Sequence, residues 1–136
     1  MLIFHLVNLT DLALRDFLPL HTTSLFGKLS CNRLVYLQII ALGTNLDLYK
    51  SFDTFKSQKC PCQIALLGEK RLRADYFTSI QRRCKFGFYK HPKELHRNSG
   101  LHVSTTIICI GYPVENFLGP CAQSNLVNLD LQNNLV

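Results

Sequence analysis

The sequence predicts a small, irregular α+β single domain. Residues 69–84 place Leu72, Tyr76, Phe77, Ile80 and Cys84 on one helical face. Residues 102–110, H-V-S-T-T-I-I-C-I, are dense in β-branched side chains that suit a strand. A length of 136 residues suits one domain, and a hydrophobic fraction of 47% can supply its core. Only 18% of residues are charged, below the roughly 25% usual in soluble domains. Several local signals conflict, so the same sequence also fits a partly disordered, loosely packed chain or a reading frame never selected to fold.

Along the chain, Leu2, Leu6, Leu9, Leu12 and Leu14 lie three or four residues apart for the most part, which predicts a helix over residues 2–18 ended by Pro19. Residues 20–31, rich in Thr, Ser and Gly, read as a loop. The apolar run over 33–42 fits a buried strand or a buried helix, and periodicity does not separate them. The three-residue spacing of Tyr49, Phe52 and Phe55 permits a short helix within 45–59. Cys60-Pro61-Cys62 breaks regular structure, and residues 63–67 read as a short strand stopped by Gly68. Beyond the 69–84 helix, Pro92 is expected to start a helical turn reaching Arg97, and Asn98-Ser99-Gly100 a turn. Gly111, Pro113, Gly119 and Pro120 make the next stretch loop-like. Composition then divides the chain into one domain over 1–123 and a Leu- and Asn-rich tail over 124–136.

The net charge of +6 is unevenly placed: residues 56–97 hold 11 of the 15 Lys and Arg and only three acids. Such a block suits contact with a polyanion. Within it, Lys70, Arg71, Arg73, Arg82, Arg83, Lys85 and Lys90 are the candidate phosphate contacts, and Phe86, Phe88 and Tyr89 the candidate base-stacking rings. No run of about 20 apolar residues spans a membrane. The N-terminus lacks a basic start and carries His5, Asn8 and Asp11 in its apolar stretch, so it does not read as a signal peptide, and an intracellular chain is expected. The Asn8-Leu9-Thr10 sequon therefore carries no weight, and the six cysteines are expected as free thiols.

No phosphate loop, dinucleotide fingerprint, nucleophile elbow or H-E-x-x-H is present. His91 and His96 are five residues apart with Pro92 between them, which places them on different sides of any helix. Cys60, Cys62, Cys84 and either histidine would supply four zinc ligands, but C-x-C is tighter than the usual knuckle and has no second paired half. No enzyme activity, metal or cofactor is expected.

Two local resemblances remain. Lys85-Phe86-Gly87-Phe88 resembles part of the aromatic strand motif of RNA-recognition motifs, and Leu34-Val35-Tyr36-Leu37 that family's other aromatic strand. Leu126-Val127-Asn128-Leu129-Asp130-Leu131-Gln132-Asn133-Asn134-Leu135-Val136 resembles the L-x-x-L-x-L-x-x-N-x-L segment of leucine-rich repeats. That resemblance implies that Leu126, Leu129 and Leu131 point into a solenoid core, with Asn134 in the asparagine-ladder position and Val136 in the last apolar slot. Echoes occur at Leu9-Leu12-Leu14 and at Leu34-Leu37-Ile39, 25 residues apart. One repeat cannot bury its own face, so the resemblance implies a fragment of a longer repeat protein. The expectation is a small basic protein without an enzyme site. Nucleic-acid binding through 70–97 is the first alternative, and protein interaction by a leucine-rich repeat fragment the second.

Overall fold

The computed structural model describes residues 2–60, 62–69, 88–89, 104–109 and 112–133. The chain is α+β, as its sequence predicts, with helices and strands in one small domain. Its strands are β1 (Phe4–His5), β2 (Asp11–Phe17), β3 (Leu29–Ser30), β4 (Tyr36–Ala41), β5 (Ile64–Glu69), β6 (Phe88–Tyr89), β7 (Ser104–Cys109) and β8 (Asn128–Asn133). Its described helices are α1 (Pro19–Lys28), α2 (Leu46–Gln58) and α3 (Glu115–Ala122). Six strands form one sheet in the order β5-β4-β2-β8-β7-β6, and β1 pairs with β3 alongside it. Every described strand pair is parallel.

The path of the chain follows from that order. The first half steps outward from the middle of the sheet, from β2 through α1 to β4 and through α2 to β5. The second half starts at the opposite edge with β6 and steps back through β7 and α3 to β8, which closes against β2. The segment 124–136, set apart as a tail by its composition, thus supplies a strand in the interior of the sheet.

Register aligns the apolar positions into rows across the sheet. One row is Thr105, Leu129, Leu12, Leu37 and Ala65, and the next is Ile107, Leu131, Leu14, Ile39 and Leu67. Leu9, Leu34 and Leu126 are buried where β2, β4 and β8 are entered. There, the Thr10 and Asp11 amides donate to the Val127 carbonyl, and the Val35 and Tyr36 amides donate to the Thr10 carbonyl. The three helices contribute Leu25, Phe26, Leu48, Phe52, Phe55, Phe117, Leu118 and Cys121 to the same core cluster as these rows. Phe26 stacks on Phe55 at 4.9 Å and meets Phe52 edge-on, which fastens α1 to α2.

Several expectations are corrected. Residues 2–18 contain two strands instead of a helix, because Leu9-x-x-Leu12-x-Leu14 takes its three-residue step at the strand entrance and its two-residue step within the strand. A three-residue step alone resembles helical periodicity. Pro19 starts a helix instead of ending one. It occupies the first turn of α1, where its missing amide costs no hydrogen bond. The run over 33–42 resolves to strand β4. Helix α2 forms as expected, but its buried face is Leu48, Phe52 and Phe55, and Tyr49 is exposed. Asn45 caps α2, its side chain accepting from the Leu48 amide at 2.8 Å. The stretch around Gly119 and Pro120 is helical in α3, where Phe117, Leu118, Pro120 and Cys121 are buried. The expected strands over 63–67 and 102–110 appear as β5 and β7. The helix expected over 69–84 falls, after Glu69, outside the described residues, as do the turns expected over 92–100.

The interior rows set a clear stability expectation. Truncating Leu131, fully buried between Ile107 and Leu14, should cost about 2–5 kcal/mol in Leu131→Ala. Leu20→Ala, at a residue 75% exposed, should change stability by less than about 0.5 kcal/mol. Urea unfolding of the two variants measures the contrast.

Candidate functional site

The sheet has a second face, and its chemistry differs from the apolar one. Its rows read Asn128, Asp11, Tyr36 and Ile64, then Thr106, Asp130, Ala13, Gln38 and Leu66, then Ile108, Gln132, Arg15, Ile40 and Gly68. At its centre lies a buried polar network across the β2–β8 junction. The Arg15 guanidinium is fully buried and grips Asp130 with two contacts, Nε to Oδ1 at 2.8 Å and Nη2 to Oδ2 at 2.7 Å. Nη2 also donates to Gln132 Oε1 at 3.3 Å, and Gln132 Nε2 donates to Asp16 Oδ2 at 3.0 Å.

Local backbone geometry makes this network possible. Strand alternation would send Asp16 into the core and Phe17 away from it. A bulge between Arg15 and Phe17 inserts Asp16 as an extra residue, so that Phe17 pairs with Ala41 and joins the core. Asp16 has φ 67°, the left-handed region that Asp tolerates better than most non-glycine residues. The bulge therefore fills the core with a phenyl ring and leaves a carboxylate beside Gln132. Buried and bidentate, the Arg15–Asp130 pair holds β2 and β8 in one geometry. No group in this network is placed as a nucleophile beside a base.

A cavity of about 250 Å³ opens at the carboxyl ends of β2 and β8. Phe17, Leu25 and Val114 form its apolar side, and His21, Ser24, Glu115 and Asn133 bring polar groups to it. Glu115 accepts from Lys28 Nζ at 2.7 Å, and this hydrogen bond holds its carboxyl below the usual range. A second cavity, about 270 Å³, lies between α1 and α2 beside Phe26, Phe55, Lys50 and Lys59. Lys59 is engaged there, donating to the carbonyls of Phe26 and Gly27 at the end of α1.

The five described cysteines are free thiols, four of them buried. Burial, with the neighbouring Cys62, pushes the Cys31 thiol up to about 12. Burial and the nearby Glu115 carboxylate push Cys109 to about 12 as well. Cys60 and Cys121 are also raised, chiefly by burial. Thiols held protonated in this way are poor nucleophiles and poor metal ligands at neutral pH. Of the weighed zinc ligands, Cys60 and Cys62 are described, while Cys84, His91 and His96 lie outside the described residues. No cluster able to hold a metal ion occurs among the described residues.

Among the candidate nucleic-acid contacts, Phe88 and Tyr89 form β6, whose backbone pairs with Thr106 and Ile107 of β7. Lys70, Arg71, Arg73, Arg82, Arg83, Lys85, Phe86 and Lys90 lie outside the described residues. The topology corrects the resemblance to RNA-recognition motifs. Those domains present their aromatic residues from a four-stranded sheet. Here β4, which carries Tyr36 and Leu37, is separated from β6 by β2, β8 and β7. At about 4.8 Å per strand, the backbones of β4 and β6 stand roughly 19 Å apart. No helix among the described residues is long and apolar enough to cross a membrane. The Arg15 network, the bulge and the cavity were all missed by sequence reasoning. Arg15-Asp16 within an apolar run was their one visible signal, because a charge there needs a partner if the run is buried.

Two outcomes test this geometry. Removing one member of the buried pair, in Arg15→Met or Asp130→Ala, should cost about 3–5 kcal/mol. The double variant should cost less than the sum, with a coupling energy of about 1–3 kcal/mol in a double-mutant cycle. The thiols set a pH dependence. Unfolded cysteine ionises near pH 8.5, whereas Cys31 and Cys109 stay protonated to about 12 in the folded chain. Their contribution is complete below about pH 8.5 and is lost as pH rises toward 12, because the unfolded state releases its protons first. The urea midpoint should fall between pH 8 and 10.5, and less steeply in Cys31→Ala.

No protein-family model matches the sequence, and neither a curated protein nor a solved structure is found similar to it.

Proposed function

We propose that the chain is a protein-interaction module of the leucine-rich repeat type. One observation carries this reading. The three L-x-x-L-x-L stretches that start at Leu9, Leu34 and Leu126 occupy adjacent parallel strands in one register, with Leu12, Leu37 and Leu129 in one row and Leu14, Ile39 and Leu131 in the next. Parallel strands whose equivalent leucines share a continuous core, with helices packed on it, support this reading, while the pairing of β8 with β2 departs from a solenoid, in which each repeat contacts only its neighbours. Asn134 and Val136, the remaining positions of the resemblance, lie outside the described residues.

Repeat proteins bind through extended surfaces rather than closed catalytic clefts. The exposed apolar surface around β4 and β5 fits that use. Ile64 and Leu66 of β5 are 50% and 48% exposed on the face away from the described helices, next to Tyr36 and Gln38 of β4 in the ladder. Val35 is exposed at the entrance to β4. Aliphatic side chains with a tyrosine beside them are typical of the buried centre of protein interfaces. Nucleic-acid binding remains the second reading, favoured by the concentration of positive charge in residues 56–97.

Panning a random peptide display library against the whole protein tests the first reading. Selected peptides should lose about thirtyfold or more in affinity against Ile64→Glu with Leu66→Glu, at unchanged thermal stability. Peptides that bind the double variant as well as the parent place the interaction surface elsewhere and overturn the assignment to β5.

A further inference from the structure

The cavity at the carboxyl ends of β2 and β8 is not explained by an interaction surface at β5, and its chemistry is selective. We infer that it is a binding site for a small aromatic molecule carrying an amino group. Size supports the first half of that description. At about 250 Å³ the cavity exceeds the 150 Å³ that accepts benzene and lies just under the usual range for small-molecule pockets, so one or two rings fit. The buried Phe17, Leu25 and Val114 give a ring an apolar surface to leave water for.

Charge supports the second half. Lys28 engages Glu115 through Oε1 and keeps the carboxyl ionised. An ionised carboxylate has about four acceptor sites, so one ammonium from Lys28 leaves room for a second donor. Ser24 and Asn133 add neutral hydrogen-bonding groups around the same opening. An anionic ligand would meet the Glu115 carboxylate and be disfavoured.

Position in the fold agrees. The connection leaving β2 runs through α1 toward β4, whereas β8 is reached through α3 from β7 on its other side. Both connections step in the same direction along the sheet and both helices pack on its Leu12 face, and the cavity lies between α1 and the start of α3. The opening lies outside the carboxyl ends of parallel strands, on the loop side of a rigid scaffold, where binding residues are commonly carried.

The test compares phenethylamine, 2-phenylethanol and phenylacetate, which share a ring and differ in charge, by NMR titration of the full chain. Phenethylamine should bind saturably and about fivefold more tightly than 2-phenylethanol, with phenylacetate weakest. Glu115→Gln should erase the preference for the amine. Ser24→Trp, at an exposed helical position lining the cavity, should abolish binding of all three while thermal unfolding stays cooperative. Absence of saturable binding, a preference for the anion, or binding that survives Ser24→Trp would each overturn the inference. If Glu115→Gln fails to fold, the order of the three probes on the parent chain still decides it. Loss of peptide binding at β5 leaves this result untouched, so the two proposals fail separately.

Discussion

The junction between β2 and β8 is the constraint on which the rest of the structure depends. It joins segments more than a hundred residues apart in sequence, through five consecutive register pairs. Without it the sheet would separate into one half built outward from β2 and another built inward from β6. Two kinds of interaction act there on opposite faces. On the helical face, Leu12 meets Leu129 and Leu14 meets Leu131, and their burial supplies free energy without direction. On the other face, Arg15, Asp130, Gln132 and Asp16 form a network that demands one geometry. A slip of one residue would turn the leucines toward the polar face and the charges toward the core. Burying a guanidinium and a carboxylate contributes little net stability, so the network's part is to make the alternative registers costly.

The same junction explains the bulge. A strand that ended on regular alternation after Arg15 would place Asp16 among leucines and Phe17 outside the core. The left-handed residue at Asp16 resolves both conflicts at once: Phe17 is returned to the core beside Ala41, and the Asp16 carboxylate accepts from Gln132. Phe17 then closes the apolar side of the cavity at the strand ends, so the irregularity that completes the core also shapes that opening.

The charged and thiol groups separate into distinct roles. Lys28 and Glu115 tie α1 to α3 at the surface, beside the cavity, where solvent weakens their pairing energetically but leaves the Glu115 carboxylate available. Cys31, Cys60, Cys109 and Cys121 sit in the core, where burial keeps them protonated and makes them small hydrophobes. Six cysteines in a short chain suggest a disulfide framework on count alone, yet the described ones serve packing.

By itself the sequence determined the composition of the core, the α+β class, and the elements whose patterns are local: the β-branched run that becomes β7, the apolar run of β5, and the helix beginning after Asn45. It also displayed the three leucine stretches, because a repeated spacing is legible without any fold. What only the tertiary structure decided was how those stretches are used. Leu9, Leu12 and Leu14 look helical until Val127 accepts from the Thr10 and Asp11 amides and draws them into a strand. Pro19 looks like a terminator until the strand before it turns into the first turn of α1. Residues 128–133 look like a polar tail until Leu12 and Leu14 on one side and Thr105 and Ile107 on the other cover Leu129 and Leu131. The physical reason is common to all three. A parallel strand has no partner near it in sequence, so its pairing energy comes from residues that the chain brings together only when the whole sheet assembles.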